Sequence, residues 1–282
     1  MFIEVRKLAE LVKFSHTVFA FPFALAMLVV VSRTYSISLT QYIFIAAALV
    51  TARTAAMAFN RIIDAKIDAL NPRTKNREIP SGELSVKSAW FLVAATCALF
   101  LIFSALLGMH CLLLAPLVLG FLFFYSWTKR FTKYSHLVLG LALSLAPGGV
   151  WYALTAKLAL FPLTLMAAVL FWVGGFDILY SCQDSEFDRS VGLHSIPSEM
   201  GVARAFNLAK IFHFVAVVLL VFFGLQADLG VFYYLGIALF AYLLFSQYLI
   251  ISPKDLTRID AAFFTRNGLA SLIFLVAVLL GG

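Results

Sequence analysis

Long apolar runs separated by short polar punctuation repeat along all 282 residues. Runs of about 17 to 25 apolar residues are long enough to cross a hydrocarbon core of ~30 Å as helices. Nine are readable, at about residues 15–34, 39–59, 87–107, 110–127, 134–154, 159–180, 206–225, 230–250 and 263–280, and each predicts a transmembrane helix. Between them lies no linker, low-complexity tract or polar stretch large enough for a soluble domain. The expectation is an all-α membrane protein with nine transmembrane helices, a single integral membrane domain over 1–282. The opening "MFIEVRKLAELVKFSHTVFAFPFAL" carries acidic residues and no small-residue cleavage site, so it reads as a retained first helix rather than a removable signal.

Composition agrees with the pattern. Hydrophobic residues make up 63% of the chain and charged ones 12%, with a mean hydropathy of +0.98, far from a soluble domain. The net charge of +7 would suggest nucleic acid in a soluble protein, but its distribution excludes that partner. Of 21 Lys and Arg, eighteen fall before the first span or between the end of an even-numbered span and the first residues of the next, and only Arg33 and Lys157 occupy the opposite loops. By the positive-inside rule the amino terminus and the long polar loops are cytoplasmic, as expected of a protein of a bacterial inner membrane. Cys97, Cys111 and Cys182 match neither a zinc site nor a disulfide framework and read as packing residues.

The acidic residues change the picture. Five aspartates fall in two short segments at the cytoplasmic ends of even-numbered spans, "FNRIIDAKIDALNPRTKNREIPSG" and "GFDILYSCQDSEFDRSVGLHSIP". At about 100° per residue, Asn60, Asp64 and Asp68 stay within an arc of roughly 80°, and Asp177, Tyr180, Asp184 and Asp188 share one side of a continued helix. Clustered carboxylates at a membrane boundary repel one another unless cations neutralise them. Magnesium suits few carboxylates plus phosphate oxygens better than calcium does, so these sets predict Mg2+ and a diphosphate ligand.

Cations sit where such a ligand needs them. Arg53 lies two helical turns before Asn60 on the same face. Lys129 and Arg130 follow the fourth span on the same side, and Arg77 stands in a loop whose Pro80 and Gly82 predict a turn. An ion-coupled transporter would also place acids in helices, but near the bilayer midplane on broken helices. Acids at helix ends running into basic loops favour an enzyme cavity facing the cytoplasm.

"NRIIDAKID" resembles the N-x-x-x-D-x-x-x-D motif, and "DILYSCQDSEFD" the D-x-x-Y-x-x-x-D-x-x-x-D motif, of the UbiA superfamily of intramembrane prenyltransferases. "YSWTKRFTKYSH", "LGLALSLAP" and the "NREIPSG" loop are similar to that family as well. The resemblance implies a UbiA-type helical bundle that transfers a polyprenyl chain from a polyprenyl diphosphate to an aromatic acid held at the lipid bilayer. The acceptor it implies is 4-hydroxybenzoate or a related hydroxylated aromatic acid in ubiquinone biosynthesis, or alternatively a dihydroxynaphthoate of the futalosine route to menaquinone. It further implies that Asn60, Asp64, Asp68, Asp184 and Asp188 hold magnesium and that Arg53, Arg77, Lys129 and Arg130 bind diphosphate. Asp177 then accepts a proton or polarises the acceptor hydroxyl, and Tyr180 faces the allylic cation. Where many 4-hydroxybenzoate enzymes carry a Lys-Pro pair, this chain reads "KFSHTVFAFPFAL", which makes His16 the candidate contact for the acceptor carboxylate.

Overall fold

The computed structural model describes residues 17–282, and His16 lies outside them. Among the described residues the chain is helical with no β-strand, and eight helices are long and apolar enough to cross a membrane. A shorter apolar helix, α1 (Thr17–Ser32), precedes them, which is compatible with nine spans. The remaining elements are α2 (Leu39–Leu70), α3 (Val86–Leu107), α4 (Met109–Thr128), α5 (Ser135–Thr155), α6 (Phe161–Ser181), the short α7 (Ser185–Ser190) and α8 (Ile196–Met200), α9 (Val202–Gln226), α10 (Val231–Ile250) and α11 (Asn267–Leu280). They form two compact units.

The first unit comprises α2, α3 and α4. Helix α2 starts at a capping box in which the Ser38 hydroxyl accepts the Gln41 N–H and the Gln41 side chain accepts the Ser38 N–H. Hydropathy predicts its end near residue 59, but the helix runs eleven residues further, to Leu70. The physical reason is local: no Gly or Pro interrupts residues 39–70, and the first breaker is Pro72. The buried stripe of α2 passes from Ile45, Ala48, Thr51, Ala55 and Ala58 directly into Arg61, Asp64 and Asp68. One face thus changes from apolar to charged without leaving the helix. Ala58 packs with Ile79, Leu84, Ala89 and Val93, and Phe59 stacks on Phe123 of α4 with ring centroids 4.3 Å apart.

The second unit holds α1 and α5 to α11. Its core surrounds α6, whose Trp172 is fully buried and donates its indole N–H to Asn267 Oδ1 at 3.0 Å. Phe23 stacks on Phe274 and lies 4.9 Å from the Trp172 ring. A glycine lets α5 and α6 approach closely: a methyl group on Gly140 would collide with the Leu170 carbonyl oxygen. Before α11 the chain makes a π-helical turn, Ala261–Arg266, held by Asn267 Nδ2, which donates to the Ala262 and Phe263 carbonyls at 3.1 Å each.

Candidate active site

In the first unit, α2 carries the first acidic set. Asp64 and Asp68 are 3% and 5% exposed and Asn60 is half-buried, so two carboxylates lie inside the protein rather than in solvent. Asn60 Nδ2 donates to Asp64 Oδ2 at 3.1 Å, as expected for side chains one turn apart on one face. Beyond Pro72 the chain doubles back through a turn in which Gly82, with φ +79°, donates its N–H to the Ile79 carbonyl. That turn presents Arg77 to Asp68, and Arg77 Nη1 lies 2.8 Å from Oδ1 and 2.7 Å from Oδ2. Arg61, 7% exposed, sits in the combined field of Arg77, Asp68, Glu78 and Asp64. Arg53 is half-buried on α2, seven residues before Asn60.

The second acidic set belongs to the other unit. The expected single helix through Asp177 and Asp188 is not what forms: α6 ends at Ser181, a 3₁₀ turn spans Cys182–Asp184, and α7 carries Asp188. Side chains at this point engage the backbone. The Ser181 hydroxyl donates to the Ile178 carbonyl at 2.9 Å, Cys182 Sγ to the same carbonyl at 3.4 Å, and Gln183 Nε2 to the Tyr180 carbonyl at 3.1 Å. Such bonds compete with the α-helical ladder and tighten the turn. Asp177 and Tyr180 therefore lie on α6, whereas Asp184 and Asp188 follow a change of helical phase.

Local packing gathers further groups around this set. Asp184, Lys129 and His136 all act on the charge of Asp188, which takes a hydrogen bond from the Ser195 side chain. Lys129 and Arg130, both half-buried, lie in the turn after α4, and the Lys129 carbonyl accepts the His194 N–H at 2.8 Å. His194 Nδ1 and Lys133 Nζ bind the two oxygens of Glu199 at 2.8 and 3.2 Å. These partners, His194 first, hold the Glu199 carboxyl below its ordinary range. Tyr180 packs its ring 4.2 Å from Phe263 and edge-on to Phe264, both in the π turn. His136, 3% exposed, has Nδ1 2.7 Å from Asp177 Oδ2.

Two of these residues escape a reading of the sequence alone. Arg61 looks like one more positive loop residue, although its spacing of three and seven from Asp64 and Asp68 places it on their face. His136 looks like an isolated interfacial histidine, and no local spacing links it to Asp177, 41 positions away.

Among the described residues, no three carboxylate, imidazole or thiol side chains converge closely enough to enclose an ion by themselves. The donor chemistry nevertheless fits magnesium. Each acidic stretch supplies only oxygen donors at the candidate positions, too few for a closed cage, and magnesium ordinarily completes its shell with water and phosphate oxygens. Two buried carboxylates matched by the guanidinium groups of Arg77 and Arg61 are also what a cation-demanding site looks like when protein cations supply the charge.

A membrane bundle with paired acidic stretches at the ends of its helices defines an intramembrane prenyl-transferring enzyme. The chain belongs to the UbiA prenyltransferase family, which it matches over residues 19–273, and it is an integral membrane polyprenyltransferase. The transporter alternative is thereby set aside. It is 28% identical over 237 residues to a 4-hydroxybenzoate octaprenyltransferase of Francisella tularensis subsp. mediasiatica, covering 82% of this chain and 81% of the relative. A second such enzyme, from Marinobacter nauticus, is 30% identical over 79% of this chain and 76% of its own. Among solved structures, a UbiA homolog from Aeropyrum pernix K1 superposes with a TM-score of 0.84 at 35% identity, covering 94% of this chain and 97% of its own. A UbiA homolog from Archaeoglobus fulgidus bound to DMAPP and Mg2+ shares the fold, with a TM-score of 0.71 at 19% identity over 97% of this chain and 98% of its own.

Proposed function

We propose that this enzyme transfers a polyprenyl chain from a polyprenyl diphosphate to 4-hydroxybenzoate or a closely related hydroxylated aromatic acid, at the cytoplasmic face of a bacterial inner membrane. The observation that supports the diphosphate half is the burial of Asp64 and Asp68 on a membrane helix beside the guanidinium groups of Arg77 and Arg61, a concentration of both charges that a magnesium diphosphate would match. The acceptor half is supported by the relatives, which are 4-hydroxybenzoate octaprenyltransferases.

In this reading Asn60, Asp64 and Asp68 hold one magnesium ion, and Asp184 and Asp188 hold another. Magnesium, when bound, neutralises phosphate oxygens and so lowers the barrier to losing diphosphate. Arg53 and Arg77 in the first unit, and Lys129 and Arg130 in the second, would each stabilise negative charge on diphosphate oxygens as the allylic C–O bond breaks. The bonding pair leaves with the diphosphate, and the prenyl carbon becomes an allylic cation. Tyr180 turns its π surface to that cation. The phenol ring attacks through a ring carbon, forming the new C–C bond, and the proton displaced from that carbon passes to the Asp177 carboxylate, which restores aromaticity. Apolar side chains exclude water, which would otherwise capture the cation. His16 is the proposed partner of the acceptor carboxylate.

The test is an acceptor panel with purified protein, a long-chain prenyl diphosphate and Mg2+. Prenylated 4-hydroxybenzoate as the main product supports the assignment. Exclusive prenylation of a dihydroxynaphthoate would move the enzyme to the menaquinone branch.

A further inference from the structure

His136 is a buried titratable side chain that the reaction described above leaves without a task. Its two ring nitrogens meet partners of opposite kinds. The Ile196 backbone nitrogen lies 3.3 Å from Nε2, and a backbone N–H only donates, so Nε2 presents its lone pair. The ring proton is thereby assigned to Nδ1, which donates to Asp177 Oδ2 at 2.7 Å.

The amide that sets this tautomer has no better partner within its own helix. Ile196 is the first residue of α8, and the first N–H groups of a helix lack an intrahelical acceptor. Ser195 and Ser198 cap one another reciprocally and leave the Ile196 amide to the imidazole. The backbone that carries the ring lies close against α6: a methyl group on Gly140, one turn beyond His136 on α5, would collide with the Leu170 carbonyl. The histidine is fixed in position by α5 and α6 and in tautomer by α8.

We propose that His136 is the positioning residue for Asp177. It binds Oδ2 through a fixed Nδ1–H and so aims Oδ1 at the aromatic acceptor. The terminal torsion of an aspartate is broad, so a carboxylate held at one oxygen has a defined direction for the other. This inference rests on the assignment of Asp177 as the proton acceptor, and its test separates the two.

In the full-length protein in lipid nanodiscs, nitrogen-15 NMR of labelled histidines should show one ring with a protonated Nδ1 and a bare Nε2 at neutral pH, its signal missing from His136→Asn. The reverse tautomer at that position overturns the proposal without requiring any variant to be active. In kinetics, His136→Ala should lower kcat about a hundredfold, the scale of a misplaced reacting group, with the KM for prenyl diphosphate unchanged. His136→Asn, whose amide can still donate to Asp177, should recover at least about tenfold of that loss, which a merely structural role would not predict. Equal losses in the two variants, or a change confined to the donor KM, refute positioning. If Asp177→Asn retains full kcat, the role of Asp177 itself is wrong; if Asp177→Asn is inactive and His136→Ala is not, only the positioning proposal fails.

Discussion

Arg77 holds both carboxylate oxygens of Asp68, at 2.8 and 2.7 Å, across nine positions of sequence. Under the proposed function that guanidinium competes for Asp68 with a metal ion, since each has a claim on the same negative charge. Arg77 is then proposed to act as the counter-ion of Asp68 before the donor arrives and to turn to a phosphate oxygen afterwards.

Arg77→Gln should accordingly tighten Mn2+ binding measured without prenyl diphosphate, because the competing cation is gone. A charge-assisted hydrogen bond contributes about 1.5–3 kcal/mol, which sets the gain at about tenfold or more. The same variant should raise the KM for prenyl diphosphate. Electron paramagnetic resonance of bound Mn2+ reads the first effect, and unchanged affinity would remove Arg77 as a competitor.

Chelation should abolish transfer, and added Mg2+ or Mn2+ should restore it, since Asp64, Asp68, Asp184 and Asp188 are proposed to hold the cations that a diphosphate needs. Full turnover in excess EDTA would sink the metal assignment.

Asp64→Asn and Asp68→Asn should each cost at least about a hundredfold in kcat/KM, while the double variant should be little worse than either. Groups that hold one ion together do not contribute independently. Multiplicative losses would mean that the two carboxylates serve different ligands.

Gly140→Ala should destabilise the protein by about 1–3 kcal/mol, because the added methyl meets the Leu170 backbone carbonyl rather than a movable side chain. A lower Tm in detergent, accompanied by a fall in kcat, would reflect a spacing of α5 and α6 that no longer brings His136 to Asp177. An unchanged Tm would show that the helices separate without cost.

Asn267→Ala removes three hydrogen bonds at once, from the Trp172 indole and to the Ala262 and Phe263 carbonyls. About 1–3 kcal/mol of stability should go with them, since the groups left behind are buried. The π turn that sets Phe263 beside Tyr180 should loosen as well, which increased hydrogen exchange over residues 261–266 would report.

The spans were legible from the sequence because the bilayer imposes one length and one polarity on every crossing, so that Trp172 and Phe274 announce membrane helices before any packing is known. The shared face of Asn60, Asp64 and Asp68 was legible for the same kind of reason: one turn of helix separates each from the next, and that geometry is local. Where α2 ends was not, because hydropathy falls at residue 59 while the conformational breaker comes only at Pro72. Nor was the break after Ser181, which depends on side chains that compete for backbone carbonyls. The pairings of Arg77 with Asp68 and of His136 with Asp177 belong to the tertiary structure alone. A turn returning to its own helix decides the first, and the close approach of α5 to α6 at Gly140, with the spare amide of Ile196, decides the second. Sequence periodicity specifies which side chains share a face, and packing alone selects what that face meets.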